Sequence, residues 1–422
     1  MDKKAMKKAK AIVVGGSISG LSCAHALVSS GWEVVVVEKT PSPPTGSPTG
    51  AGLGLDPLVQ SKLSQWLMQP HLLQNTTMPL SIDQNQATDV QMKINRTLTR
   101  DERYNFRAAY WADLHNLLYS ALPSNIVLWG HKFLSFSISD CGTSVEVKTK
   151  IVETDDVISI TGDVLIAADG CLSSIREVFL PGLKLRYSGY CAWRGVLDCS
   201  GDEHTEAIED LKRAYPDLGR CLYLNLSSGT HSVLYELLNK RLNWLWFVNQ
   251  PEPVHEGHST TMKVSSDMVL KMHEEAEKVW LPEFTRIMKE TAEPFINAIY
   301  DMDPLERIYW KNVVLVGDAA HPTTPHGARS TNMAIVDAAV LGQCLRKWGV
   351  ERLDSALHEY QSIRLPVVSQ QVLHSRRMGL IKQGLVLPDG SSFNPSTALP
   401  KDCEDLQMQS MPFFSETPPI LM

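Results

Sequence analysis

Residues 11–20 read Ala11-Ile12-Val13-Val14-Gly15-Gly16-Ser17-Ile18-Ser19-Gly20, and a second apolar run, Val34-Val35-Val36-Val37-Glu38, follows after Gly31. Both runs are short, rich in β-branched residues and continuous rather than alternating, which suits strands buried on both faces of a parallel sheet. Between them Leu21, Ala24, Leu27 and Val28 recur at helical spacing and stop at Ser29. Strand, helix and strand within about thirty residues make one βαβ unit. The glycines fall where the strand turns into the helix. Without side chains, that turn lets backbone N–H groups approach a pyrophosphate, and the helix N-terminus adds partial positive charge. The fold class is therefore α/β, with a Rossmann-like dinucleotide-binding domain.

Glu38 strengthens this assignment. It ends the second strand 18 residues after Gly20, where a carboxylate accepts hydrogen bonds from an adenosine ribose. The same charge repels a 2′-phosphate, so the bound nucleotide is expected to be FAD or NAD rather than NADP. Ser17 stands where the usual pattern has glycine.

Outward from this unit, residues 164–168 and 313–316 read as further buried strands, and 59–67 and 111–122 as helices. Residues 353–383 form a helical region expected to break or kink at Pro366. The Pro-, Gly-, Ser- and Thr-rich stretch 41–54 is expected to hold no stable element. Residues 183–300 have a different texture, with strand-like segments at 223–226, 231–237 and 243–248 that carry several aromatics. They read as a mixed-sheet domain inserted into the first. The division is 9–182 for the first part of the nucleotide domain, 183–300 for the substrate domain and 301–387 for the second part with C-terminal helices. Residues 388–422 lack periodicity and are expected to be a flexible tail.

Composition excludes other classes. With 40 Lys+Arg against 47 Asp+Glu the net charge is −7, which argues against a nucleic-acid binder. No apolar run approaches the roughly 18 residues of a membrane span, and the lysine-rich start lacks the apolar core of a signal peptide. The 8 cysteines are scattered without metal-ligand spacing. They are expected to be reduced thiols in a cytoplasmic protein, with no metal site. The oligomeric state is left open.

Two further segments narrow the dinucleotide. One is Asp163-Val164-Leu165-Ile166-Ala167-Ala168-Asp169-Gly170-Cys171-Leu172-Ser173-Ser174-Ile175-Arg176. The other is Gly317-Asp318-Ala319-Ala320-His321-Pro322, followed by Pro325-His326-Gly327 and Asn332-Met333-Ala334-Ile335-Val336-Asp337-Ala338. In this order the motifs resemble the FAD-dependent aromatic-ring hydroxylases, single-component flavoprotein monooxygenases of the p-hydroxybenzoate hydroxylase fold. Among these the sequence looks closest to plant members related to 2,6-dihydroxypyridine and urate-type hydroxylases. The resemblance covers residues 9–383. It implies that Gly15, Gly16, Ser17, Ser19, Gly20 and Glu38 hold the FAD pyrophosphate and ribose, and that Asp318 accepts from the ribityl chain. Gly327, Ala328 and Asn332 match the loop and helix start beside the flavin. Asp169 and Gly170 match a motif tied to FAD and the nicotinamide nucleotide, with Arg176 its basic residue; Asp169 as a helix N-cap is the competing assignment.

The chain departs from the family at two places. Trp111 stands where many relatives have an FAD-contacting arginine, and Arg107 is the candidate replacement. Ala328-Arg329-Ser330 replaces a stretch that usually presents two glycines, so Arg329 is a candidate for placing positive charge beside the flavin or the substrate. His231, Tyr235 and His326 are candidates for proton transfer from a phenol-like substrate. Trp193, Trp244 and Trp246 are better placed as core than as a ring pocket. The activity implied is hydroxylation of a small aromatic or heteroaromatic substrate with NADPH or NADH and molecular oxygen, through a flavin hydroperoxide. A flavin-dependent epoxidase, N-hydroxylase or reductase, and a FAD-binding protein without turnover, remain open at this stage.

Overall fold

The computed structural model describes residues 8–44, 51–201, 205–254 and 260–422. The βαβ unit forms as the sequence predicts. Strand β1 (Lys10–Val14) and strand β2 (Glu33–Val37) pair in parallel, with helix α1 (Ile18–Ser29) between them. Strand β12 (Val164–Ala167) joins the other side of β1, and β20 (Val313–Leu315) joins β12, both parallel. With β19 (Tyr309–Trp310) and β8 (Val127–Leu128) they form a six-stranded sheet ordered β19-β20-β12-β1-β2-β8. Beyond Lys10 and Glu33 at two strand starts its strands are apolar, because both faces are covered. Helix α9 (Arg329–Trp348) packs on α1, and α10 (Leu353–Lys382) packs on α9. A three-stranded sheet of β9 (His131–Ile138), β10 (Val145–Ile151) and β11 (Val157–Gly162) adds Val145, Val147 and Ile160 to the same core. Helix α5 (Ser174–Phe179) follows β12.

The second domain is an eight-stranded sheet. Its order is β17 (Thr261–Met262), β18 (Phe295–Asp301), β13 (Arg186–Asp198), β16 (Arg241–Asn249), β15 (Thr230–Leu237), β14 (Cys221–Ser227), β5 (Ile82–Asp89) and β6 (Ile94–Asp101). One face carries Trp193, Trp244 and Trp246 into a core with α6 (Thr205–Ala214), α7 (Ser266–Ala276) and α8 (Pro282–Glu290). The tryptophans are core, and Trp244 Nε1 donates to Thr291 Oγ1 at 2.8 Å. A small sheet, β3 (Gly52–Leu55), β7 (Phe106–Tyr110) and β4 (Thr77–Leu80), lies between the domains. It is flanked by α2 (Pro57–Trp66), α3 (His71–Thr76) and α4 (Trp111–Ser120).

Four features depart from the sequence expectations. Strands β5 and β6 add residues 82–101 to the sheet expected from 183–300 alone. The run Gln84-Asn85-Gln86 hides this strand because its buried amides satisfy one another instead of alternating with apolar residues. Gln86 Nε2 donates to Asn225 Oδ1 at 2.7 Å, and Asn225 Nδ2 donates to Ser232 Oγ at 2.9 Å. Second, Gly52–Leu55 pairs with β7 although 41–54 reads as a loop; residues 45–50 lie outside the described residues. Third, α10 continues through Pro366, because the buried side chains Tyr360, Arg364, Val368 and Val372 outweigh one forfeited backbone bond. Fourth, residues 388–422 are not a loose tail. They form short 3-10 helices that bury Cys403, Leu406, Met408 and Met411. Arg96, Asn85 and Asp83 fix them through Pro395 O, Leu406 O and Met408 N. No helix among the described residues is long and apolar enough to cross a membrane.

Candidate active site

The glycine turn leaves β1 with Gly15 at φ 108°, and a Cβ there would lie 2.2 Å from Ala168 O. No side chain fits. Gly16 N donates to Glu38 Oε2 at 2.7 Å and Thr40 N to Oε1 at 2.9 Å, so Glu38 closes the turn it borders. Ser17 occupies the N-cap of α1 and makes no side-chain cap. Behind it Ser19 Oγ is buried without a protein partner, as is Asp169 Oδ1 at the end of β12. Asp169 Oδ2 accepts from Ile175 N at 3.2 Å, so half of this carboxylate serves the start of α5 and half is open. A cradle of bare backbone, a helix N-terminus and two orphaned buried oxygens suits a dinucleotide that brings hydroxyls and phosphate oxygens.

Asp318 follows β20. Its Oδ1 accepts from Ser330 Oγ at 2.7 Å, and burial raises the carboxyl above its usual range. Asp337, on α9, holds this turn: its Oδ2 accepts from Gly317 N at 2.9 Å and His321 Nε2 at 2.6 Å. Its Oδ1 accepts from Arg364 Nε at 2.7 Å. His321 and Arg364 hold Asp337 well below the usual carboxylate range, against the cost of burial. Arg176 ties the two motifs together, donating to Ala319 O at 2.8 Å and Cys171 O at 2.5 Å.

From Asp318 a cavity of about 380 Å³ runs to the second domain, a size suited to enclosing a small ligand. Its floor is one face of the eight-stranded sheet. Because side chains alternate, Leu222 and Leu224 of β14, His231, Val233 and Tyr235 of β15, Leu245 and Phe247 of β16 and Arg194 of β13 all point to it. The far wall is Pro322 to Thr331 and β3. Gly52 is required there, since a Cβ would lie 2.4 Å from Tyr235 Oη. Gly327 (φ 82°) and Ala328 (φ 52°) turn the wall through the left-handed region. Asn332 braces that turn from outside the cavity, its Nδ2 donating to Gly54 O and Ala328 O.

Arg329, His231, Tyr235 and His326, the four catalytic candidates, all line this cavity. Their environments differ from the sequence expectations. Arg329 is paired with a carboxylate: its Nη1 donates to Asp56 Oδ2 at 2.6 Å, both groups buried, so its charge is balanced within the protein while its Nε stays buried without a partner. His231 Nδ1 lies 2.8 Å from Gln383 Oε1, which accepts only, so Nδ1 carries the proton. His231 Nε2, 3.3 Å from His326 Nε2, then accepts, and His326 Nδ1 accepts from Thr324 Oγ1 at 3.0 Å. Both lone pairs are occupied. Burial and the Lys382 ammonium pull His231 down to about 3, and His326 falls well below its usual value as well. The pair is a neutral wall, poorly suited to taking a proton. Arg107 is not brought to the site. It donates to Thr77 Oγ1 at 2.6 Å, Thr77 O at 2.7 Å and Gln74 O at 3.1 Å, locking α3 to β4.

The sequence reading missed Arg194. Its Nε is buried with no hydrogen-bond partner, no carboxylate lies within ion-pair distance among the described residues, and burial lowers its pKa. Its signal was present: Ala192, Arg194 and Val196 share one face, and Arg194 is the one charged residue in the stretch 190–197.

Comparison with known proteins agrees with this geometry. Residues 303–375 match a family model described as a FAD binding domain, and residues 13–48 match an NAD(P)-binding Rossmann-like domain. The chain is 26% identical over 368 residues to 6-hydroxynicotinate 3-monooxygenase of Pseudomonas fluorescens, covering 86% of this chain and 89% of that one. It is 26% identical over 402 residues to 2,6-dihydroxypyridine 3-monooxygenase of Paenarthrobacter nicotinovorans, covering 91% and 92%. Among solved structures it resembles Klebsiella pneumoniae HpxO complexed with FAD and uric acid. The TM-score is 0.73 at 23% identity, over 89% of each chain.

Proposed function

The chain belongs to the FAD-binding flavoprotein monooxygenases, and we propose that it hydroxylates a small, electron-rich aromatic or heteroaromatic compound using NADPH or NADH and molecular oxygen. The observation that carries this is the single cavity joining Asp318 and the 325–330 loop to the apolar face of the second sheet. Gly15, Gly16, Ser17, Ser19, Gly20, Glu38 and Asp169 would hold the adenosine and pyrophosphate, and Asp318, Gly327 and Ala328 the flavin end. Bound FAD supplies the activation of oxygen.

The chain's own residues do the rest. Leu222, Leu224, Val233, Leu245 and Phe247 make an apolar floor on which a flat ring packs and from which water is excluded. The unpaired Arg194 guanidinium stabilises an anionic oxygen on the ring, which raises the ring's electron density for attack by an electrophilic oxygen. Tyr235 beside it is a neutral hydroxyl, its pKa raised by burial. His231 and His326 orient the ring as uncharged neighbours. All eight cysteines are free thiols, which suits a reducing compartment such as the cytoplasm.

The test is anaerobic bleaching of the flavin in purified holoprotein by NADPH, then NADH, with and without hydroxylated benzenes, pyridines and purines. Acceleration by a ring compound supports a substrate-gated hydroxylase. Bleaching at one rate whatever is added counts against it.

A further inference from the structure

A second unpaired cation faces the cavity at the end roofed by the C-terminal segment. Lys382 is the last residue of α10, 3% exposed, and lines the cavity together with Tyr104, Leu80, Leu222 and Met408. Among the described residues its Nζ has no hydrogen-bond acceptor and no carboxylate within ion-pair distance. Tyr104 is 2% exposed, and its Oη is buried without a partner. The acid nearest to both in electrostatic terms is Asp83 on β5. One oxygen of Asp83 is committed to Met408 N at 3.2 Å and the other is orphaned. The carboxylate thus fastens the C-terminal segment over this end without forming an ion pair with Lys382.

The charge count around the ring site then becomes simple. Arg329 is cancelled by Asp56, His231 and His326 are neutral, and Asp318 lies at the flavin end. What remains is Arg194, Lys382 and Asp83, an excess of one positive charge in an enclosed, largely apolar space. A buried ammonium and a buried phenol hydroxyl, both lacking acceptors, are costly arrangements unless something supplies the acceptor.

We propose that Lys382 and Tyr104 form an anion subsite for a carboxylate carried by the aromatic substrate, with Met408 of the C-terminal segment as its apolar cover. Lys382 provides the charge and Tyr104 Oη a second donor, while Arg194 is left for an oxygen on the ring. This makes the substrate an aromatic acid rather than a neutral phenol. It rests on the hydroxylase reading for the ring but on the orphaned donors for the carboxylate.

Calorimetric titration of FAD-loaded protein with 3-hydroxybenzoate and its uncharged isostere 3-hydroxybenzamide separates the possibilities, because it reads binding without turnover. The wild type is expected to prefer the carboxylate by at least about tenfold, the effect of one charge-assisted hydrogen bond. Lys382→Met should reduce the preference to about twofold or less, Lys382→Arg should retain most of it, and Tyr104→Phe should weaken it severalfold. Equal binding of the two probes, no binding of either, or a preference that survives Lys382→Met would overturn the subsite. So would a preference lost in Arg194→Met instead, since that would seat the carboxylate on β13. Oxygenation of neutral rings without carboxylate preference would sink the subsite and leave the hydroxylase reading intact. A Lys382-dependent preference in protein that never consumes NADPH or NADH would do the reverse.

Discussion

At the scale of single residues, the carboxylates at 318 and 337 divide the work at the proposed flavin end of the cavity. Asp318 faces the cavity and Asp337 holds the turn that presents it. Asp318→Ala is therefore expected to release FAD from a folded protein, seen as loss of the flavin spectrum after gel filtration with circular dichroism unchanged. Asp337→Asn leaves Arg364 buried without its counter-charge and should cost about 3–5 kcal/mol of stability by denaturant titration. The pH dependence follows by sign. Asp337 is depressed when folded, so its contribution is complete above its ordinary value of 3.8 and is lost as pH falls below that. His231 is buried neutral, so its contribution is complete above 6.5 and is lost as pH falls from there toward about 3. Acid should weaken the protein in two stages, and His231→Gln should shrink the upper one without abolishing it, since His326 is held neutral by burial in the same way. Lys382 is drawn down to about 8 by burial, against the opposing pull of Asp83; His231, His326 and His374 also face it. Carboxylate affinity should be level below that pH and fall as pH rises through it, as the ammonium loses its proton.

At the scale of elements, what was legible followed from pattern strength. The continuous runs of β1, β2, β12 and β20 and the glycine turn are dictated by burial on two faces and by backbone approach, so local sequence sufficed. Strand β5 was illegible because its buried amides pair across strands, and no single strand contains that information. Strand β3 was illegible because its glycines signal a loop locally, whereas Tyr235 and Ala328 require them from a distance. Arg194 was missed although strand alternation signals it; Lys382 at a helix end carries no such signal, since its surroundings come from β5 and the C-terminal segment. That segment read as a tail because short 3-10 turns have no period. Its packing makes a strong prediction. Deleting residues 388–422 exposes Phe106, Leu222 and Leu224 and opens the Met408 roof. The truncated protein should lose several degrees of melting temperature and, where it still binds FAD, release a larger share of consumed reductant as hydrogen peroxide, measured by a peroxidase assay.

At the scale of the whole molecule, two sheets meet across β3 and the 322–331 loop, one supplying a dinucleotide cradle and the other a ring-sized apolar floor. The C-terminal segment closes the far end. On the proposed function neither half suffices alone, because the cavity that would hold flavin and ring is lined by both. Turnover of hydroxylated aromatic acids under ¹⁸O-labelled dioxygen, with product and peroxide both analysed by mass spectrometry, tests this most directly. The account predicts one labelled oxygen atom in the ring product, with stimulated NADPH or NADH consumption. If every ring compound that binds the cavity leaves all the label in hydrogen peroxide or water, with the ring unchanged, the hydroxylase assignment is wrong.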